Sequence, residues 1–305
     1  MPVTYVDAPT AFKTGLAFWT KEGQPGIQAE HWATLQPGQP RNSVRISSKA
    51  IFGGGLFIID LALMPWGCGV WPAVWTVGNE GPWPHFPDVS GTNCDSTKSG
   101  VGCSIVSDSD ASYGHNFNAA GGGVFAMLWD GSGIRMCTWR SPATANDKGA
   151  GRDQPSPKSL WRTSGTKLTS FSVTSKAPSP SAWGPPVAAF DASTCNPYQF
   201  FQPQILVLNV NLCEFSYCPG TCSSFIADPA NLQNTVMIIN SIKVYQQGDS
   251  RAVVGHTATN ANLTGAGGPV AGQGPLRTPW WTSSSKRLVP PVKLVALLCI
   301  VLFTR

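Results

Sequence analysis

Glutamate is scarce in this chain. Four occur in 305 residues, Glu22, Glu30, Glu80 and Glu214, and no two lie within five residues of each other. Chemistry that needs two glutamate carboxyls close together on one strand has no local source here. Charge of either sign is thin, at 12% against about a quarter in an ordinary soluble domain. The net charge of +5 is scattered, and without a run of basic residues it excludes a nucleic-acid-binding tract. The four histidines, His31, His85, His115 and His256, are dispersed. Cys218 and Cys222, in CPGTC, therefore lack the second close pair or the histidines that a zinc site needs. No metal or organic cofactor is called for. Few windows run far without glycine or proline, which excludes a helical bundle. No internal repeat is evident. The one long apolar run is LVALLCIVLF, residues 294–303, too short to span a bilayer alone, since that takes about 20 residues.

What is present points to short strands and many turns. Glycine (32) and proline (26) are abundant, and 42% hydrophobic residues can build a sizeable core. This is the composition of an all-β protein. Twelve tryptophans in a weakly charged chain suit a neutral ligand such as a polysaccharide, although core packing is the simplest use of any one of them. Nine cysteines occur: eight in the body and Cys299 in the terminal run. An even body count favours disulfides and an oxidising compartment.

The two ends read differently. MPVTYVDAPTAFKTG has neither a basic nor an apolar leader segment, so no signal peptide is visible. Ser283, Ser284 and Ser285, a spacer ending at Lys293, and the short apolar run match a lipid-anchor (GPI) signal. Such a signal acts only on a secreted chain, so the expectation is that the true N-terminus precedes Met1 and that the tail gives membrane attachment at the cell surface or wall.

Strand-like runs recur at 43–47 (SVRIS), 56–63 (LFIIDLAL), 205–212 and 237–245 (MIINSIKVY). Residues 124–129 and 134–139 flank the turn DGSG, a hairpin signal. These place one folded domain at 1–247. Residues 142–176, rich in Ser, Lys, Arg, Pro and Gly, read as an irregular insert. Residues 248–285 read as a Gly/Ser/Thr-rich linker, with the glycosylation sequon Asn262-Leu263-Thr264, and 286–305 as the hydrophobic tail.

Several stretches then carry a family resemblance. GCGVWPAVWTVG (67–78), RNSVRISSK (41–49), GGLFIIDLALMP (54–65), SYGHNFNAAGGGVFAMLW (112–129), SAWGPPVAAF (181–190), CNPYQFF (195–201) and INSIKVYQ (239–246) resemble glycoside hydrolase family 16, in its fungal endo-1,3(4)-β-glucanase (laminarinase) form. They follow the family order across most of residues 5–247. The resemblance implies a concanavalin A-like β-jelly-roll sandwich that cradles β-1,3/1,4-glucan. It also implies retaining hydrolysis by two carboxyls about 5–5.5 Å apart, on one strand as Glu-x-Asp-x-x-Glu.

That motif should start just after Gly78, and it is missing. Glu80 stands instead in NEGPWP without an acidic neighbour, and Asp88 lies behind Pro84 and Pro87. A second departure follows Cys213, where EFSYCPGTCSSF replaces the family's Gly-Asp-Trp-Ala-Gly; the third is the 142–176 insert. Phe52-Gly53 also replaces a Tyr-Asn that often precedes Gly-Gly-Leu-Phe. The expectation is an incomplete sandwich with no catalytic residue and no hydrolysis. Two alternatives stand beside it: a non-catalytic glucan-binding wall protein, and the product of a mis-spliced or mis-predicted gene. Trp71 and Trp75, four apart, share one strand face, where they pack on the core or stack on sugar. With Trp83 they are the candidate substrate-binding residues. Asp60 reads as a partnered structural carboxylate and His115 as a polar loop residue.

Overall fold

The computed structural model describes residues 2–78, 105, 107, 109–140, 178, 180, 183, 185–194, 196–213, 218–245, 253–256 and 298–301. In chain order the elements are β1 (Val3–Tyr5), α1 (Ala8–Lys13), β2 (Ala17–Trp19), β3 (Pro25–Gln28), β4 (Arg41–Ser43), β5 (Arg45–Ser47), β6 (Ala50–Phe52), β7 (Gly55–Leu63), β8 (Val70–Gly78), α2 (Gly114–Ala119), β9 (Gly123–Asp130), β10 (Gly133–Arg140), β11 (Ala188–Asp191), α3 (Pro197–Phe200), β12 (Gln204–Leu212), α4 (Cys222–Phe225), β13 (Val236–Tyr245), β14 (Val253–His256) and β15 (Leu298–Val301). The apolar runs of the sequence become β7, β12 and β13. The DGSG hairpin becomes β9 and β10, paired from Asp130↔Gly133 onward, with Asp130 accepting from the Ser132 amide at 2.8 Å.

Two antiparallel sheets form the body. One has seven strands in the order β11-β10-β9-β7-β13-β3-β2; the other has the order β14-β6-β12-β8-β15, with β5 also on β12. A short parallel pair, β1–β4, adds to them. Alternation on each strand decides what lies between the sheets. From β7, Phe57, Ile59 and Leu61 point inward; from β8, Val70 and Val74; from β12, Leu206, Leu208, Val210 and Leu212; from β9, Phe125, Met127 and Trp129. These form one cluster with Ile239 and Met237 of β13. The result is a sandwich of jelly-roll type. Val253–His256 and Leu298–Val301, within the stretches read as linker and tail, are strands.

The outer face of the seven-stranded sheet is also covered. Leu56 and Ile58 of β7 and Val124 and Ala126 of β9 pack under Trp183, which is buried. Asp60, on the same strand face, accepts from Asn240 Nδ2 at 2.8 Å. It is a partnered structural carboxylate on the sheet that does not carry the tryptophan motif.

One buried ion pair is closely matched. Arg41 is fully buried. Its Nε donates to the Ile226 carbonyl at 2.5 Å, Nη2 to the Ala227 carbonyl at 2.9 Å, and Nη1 pairs with Glu30 Oε2 at 2.5 Å. The other Glu30 oxygen accepts from the Trp32 and Ala33 amides at 2.7 and 2.6 Å. Each guanidinium nitrogen of Arg41 and each carboxylate oxygen of Glu30 thus has a partner, the condition under which a buried ion pair is tolerated.

Candidate functional site

Strand β8 is fastened just ahead of its first residue, Val70. Cys68 forms a disulfide with Cys218, and Cys213 with Cys222. The Cys213 amide donates to the Gly69 carbonyl at 2.8 Å, so the start of β8 and the end of β12 are held together. Gly69 has φ +71°, and a Cβ there would sit 2.9 Å from the Cys222 sulfur; only glycine fits. The CPGTC sulfurs are therefore consumed by two different disulfides. Cys137 is a free thiol, and burial pushes its pKa up to about 11. That departs from a framework in which all eight body cysteines pair. Cys94, Cys103 and Cys195 lie outside the described residues.

From that anchor β8 runs beside β12 over nine pairs, Val70↔Leu212 to Gly78↔Gln204. Val70, Pro72, Val74 and Thr76 are buried, whereas Trp71, Ala73 and Trp75 are half-buried. Since Val70 and Val74 belong to the inter-sheet core, Trp71 and Trp75 face the other way. The simplest reading, both tryptophans in the main core, is corrected by this alternation. On the outer face Trp75 rests on a small apolar cluster of Ile51, Val77, Ile205 and Val207.

Three residues that the sequence does not single out complete the group. Arg45 of β5 pairs in register with Asn209 of β12, and its guanidinium carbon lies 4.8 Å from the Trp75 ring centroid and 6.0 Å from that of Tyr5. These are cation–π distances. Trp75 Nε1 donates to Asn209 Oδ1 at 2.8 Å, and Asn209 Nδ2 donates to the Tyr5 hydroxyl at 3.2 Å. Burial lowers the Arg45 pKa, and the Tyr5 phenol acts in the opposite sense; an arginine stays charged through such a shift. The group thus sets one half-buried indole under a cation, beside an amide and a phenol. Arg45 lay within RNSVRISSK, a stretch informative only for the family, and Tyr5 lies 204 residues from its amide partner, beyond any local pattern.

Trp71 pairs with Asn211 further along the same face. Trp83 and Glu80 lie outside the described residues. Among the described residues, five carboxylates are committed elsewhere: Glu30 to Arg41, Asp60 to Asn240, Asp130 and Asp191 to the turn amides of Ser132 and Ser193, and Asp228 to Ala230. His115 is in α2, edge-on to Trp66 at 5.4 Å.

A two-sheet antiparallel jelly roll is an architecture shared by lectin domains among others. The chain belongs to glycoside hydrolase family 16: the profile described as "XgeA-like, catalytic GH16 domain" matches residues 2–89, 85–171 and 161–245. The seams between these stretches fall at 85–89, within the stretch after Gly78 that lacks the family motif, and at 161–171, within the 142–176 insert. A Schizosaccharomyces pombe protein named "Probable glycosidase" is 27% identical over 80% of this chain and 62% of its own length. A Neosartorya fischeri "Probable endo-1,3(4)-beta-glucanase" is 31% identical over 82% of this chain and 42% of its own. The chain thus spans less than two thirds of these curated relatives. Among solved structures, GH16 Laminarinase 16A from Phanerochaete chrysosporium, with 2 beta-glucans in both donor and acceptor sites, superposes with a TM-score of 0.63. It is 26% identical, over 80% of this chain and 90% of that one.

Proposed function

We propose that this chain is a β-glucan-directed member of the endo-1,3(4)-β-glucanase family that binds the polysaccharide without hydrolysing it. The family and the glucan-bearing laminarinase support the substrate class. The observation that carries the lack of turnover lies in the sequence: four dispersed glutamates cannot form Glu-x-Asp-x-x-Glu. Retaining hydrolysis needs one carboxylate as nucleophile and a second carboxyl as acid a few ångströms away. Binding needs neither. An indole face suits the apolar face of a glucose ring, and Trp75 with Arg45, Asn209 and Tyr5 supplies such a platform; Trp71, on the same strand face, extends it. The disulfides support an extracellular or wall location. Attachment through 286–305 belongs to the same reading, for a chain whose tail is exchanged for an anchor.

Sedimentation with insoluble β-1,3-glucan tests the binding. Wild-type chain is expected in the pellet and released by soluble laminarin, with Trp75→Ala staying largely in the supernatant. Equal behaviour of both forms, or no retention of either, counts against the platform. The seams after Gly78 and in the insert favour a second reading, a gene product that has lost a segment. Sequencing the transcript across the codons for Gly78 to Gly91 decides it: a segment restoring Glu-x-Asp-x-x-Glu makes the natural protein an ordinary hydrolase.

A further inference from the structure

The strand that carries Trp71 and Trp75 has two edges. One is paired with β12 along its whole length. The other is paired with β15, antiparallel, at Ala73↔Val301, Val74↔Ile300, Trp75↔Cys299 and Thr76↔Leu298. β15 ends the sheet, and it comes from the one long apolar run of the chain, residues 294–303. We propose that the C-terminal apolar segment is an intramolecular edge cap for β8, and that β8 without it is a strand-acceptor site.

Three observations bear on this. β8 reads VWPAVWTVG, without a charged residue, so its second edge carries none of the charges with which exposed strands discourage pairing. Its part beyond Pro72, AVWTVG, is high in β-formers and uncharged, the composition of a segment prone to pair with an added strand. The last described pair is Ala73↔Val301, and the next residue of β8 is Pro72, which has no N–H for a ladder. The acceptor is therefore short and has a fixed end, which sets the register of its occupant. The run itself is too short to cross a bilayer, for which about 20 residues are needed, and among the described residues no helix is long and apolar enough to do so. Cutting the chain before this segment, as anchor attachment requires, opens the edge. The occupant then available at the same register is β8 of a second copy.

Cross-strand cysteines test the pairing in the full chain. Direct antiparallel partners have Cα atoms about 4.5–5.5 Å apart, within disulfide reach. In a background with Cys137→Ala and Cys299→Ala, the pair Ala73→Cys and Val301→Cys is expected to close under mild oxidation in most molecules. Peptide mapping identifies the link. Ala73→Cys with Leu298→Cys, off register by three residues, is expected to stay reduced. Equal closure of both pairs, or alkylation of both thiols in the registered pair, overturns the proposal. A chain ending at residue 293 gives an independent readout. Sedimentation velocity is expected to show concentration-dependent self-association, reversed by a lysine-tagged peptide of residues 294–303. A truncated chain that stays monomeric with the melting temperature of the full chain contradicts the cap.

Discussion

At the scale of single residues, Trp75 is the hinge of the functional reading. Its indole is fixed at one end by Asn209 and faced by Arg45, so a sugar bound there as proposed would meet an ordered surface. Trp75→Ala is expected to weaken laminarin binding by about tenfold, equivalent to about 1.4 kcal/mol. Isothermal titration, with circular dichroism to confirm the fold, checks it. Arg41→Ala affects stability instead. It leaves the Glu30 carboxylate buried without its cation, and breaking such a pair costs about 3–5 kcal/mol, read as a shift in the urea midpoint. Cys137 gives a pH prediction. Its folded pKa of about 11 lies above the 9.0 of an unperturbed thiol. At pH 8 the folded thiol is therefore alkylated about 100-fold more slowly than in the urea-unfolded chain, because only the thiolate reacts. The sign for stability follows: the contribution is complete below pH 9 and is lost as pH rises from 9 towards 11. Cys137→Ala removes that loss, and denaturation midpoints measured across the range report it.

At the scale of elements, the start of β8 depends on the paired disulfides. The Cys213–Cys222 bridge closes a loop with a sequence separation of 9, and Cys68–Cys218 one of 150. In the chain-entropy view the short bridge contributes roughly 2.5 kcal/mol and the long one more. Cys68→Ala with Cys218→Ala is thus expected to lower the melting temperature further than Cys213→Ala with Cys222→Ala. Differential scanning calorimetry orders them, and the reverse order contradicts the loop argument. Much at this scale is legible in the chain. Continuous apolar runs bounded by Gly and Pro gave β7, β12 and β13, and DGSG gave the β9–β10 hairpin. The run 43–47 was read as one strand and is two, β4 and β5, divided at Val44. The site was only half legible. Period-two alternation puts Trp71 and Trp75 on one face, but which face depends on where the second sheet packs. Arg45, Asn209 and Tyr5 come from three separate strands, and only sheet pairing brings them together.

At the scale of the whole molecule, the proposed function separates binding from turnover. The sandwich needs only apolar alternation, and its outer platform needs an indole with polar neighbours. Hydrolysis also needs a pair of carboxyls, which a strand supplies only by sequence. Loss of that pair leaves fold and affinity in place and takes away nearly all rate, because the two groups act as one unit. Reducing-end release from laminarin by the purified full chain tests this most directly. The account predicts release indistinguishable from a buffer blank at concentrations where the glucan is demonstrably bound. Turnover comparable to ordinary endo-1,3(4)-β-glucanases would contradict it and would place an acid pair somewhere in this polypeptide.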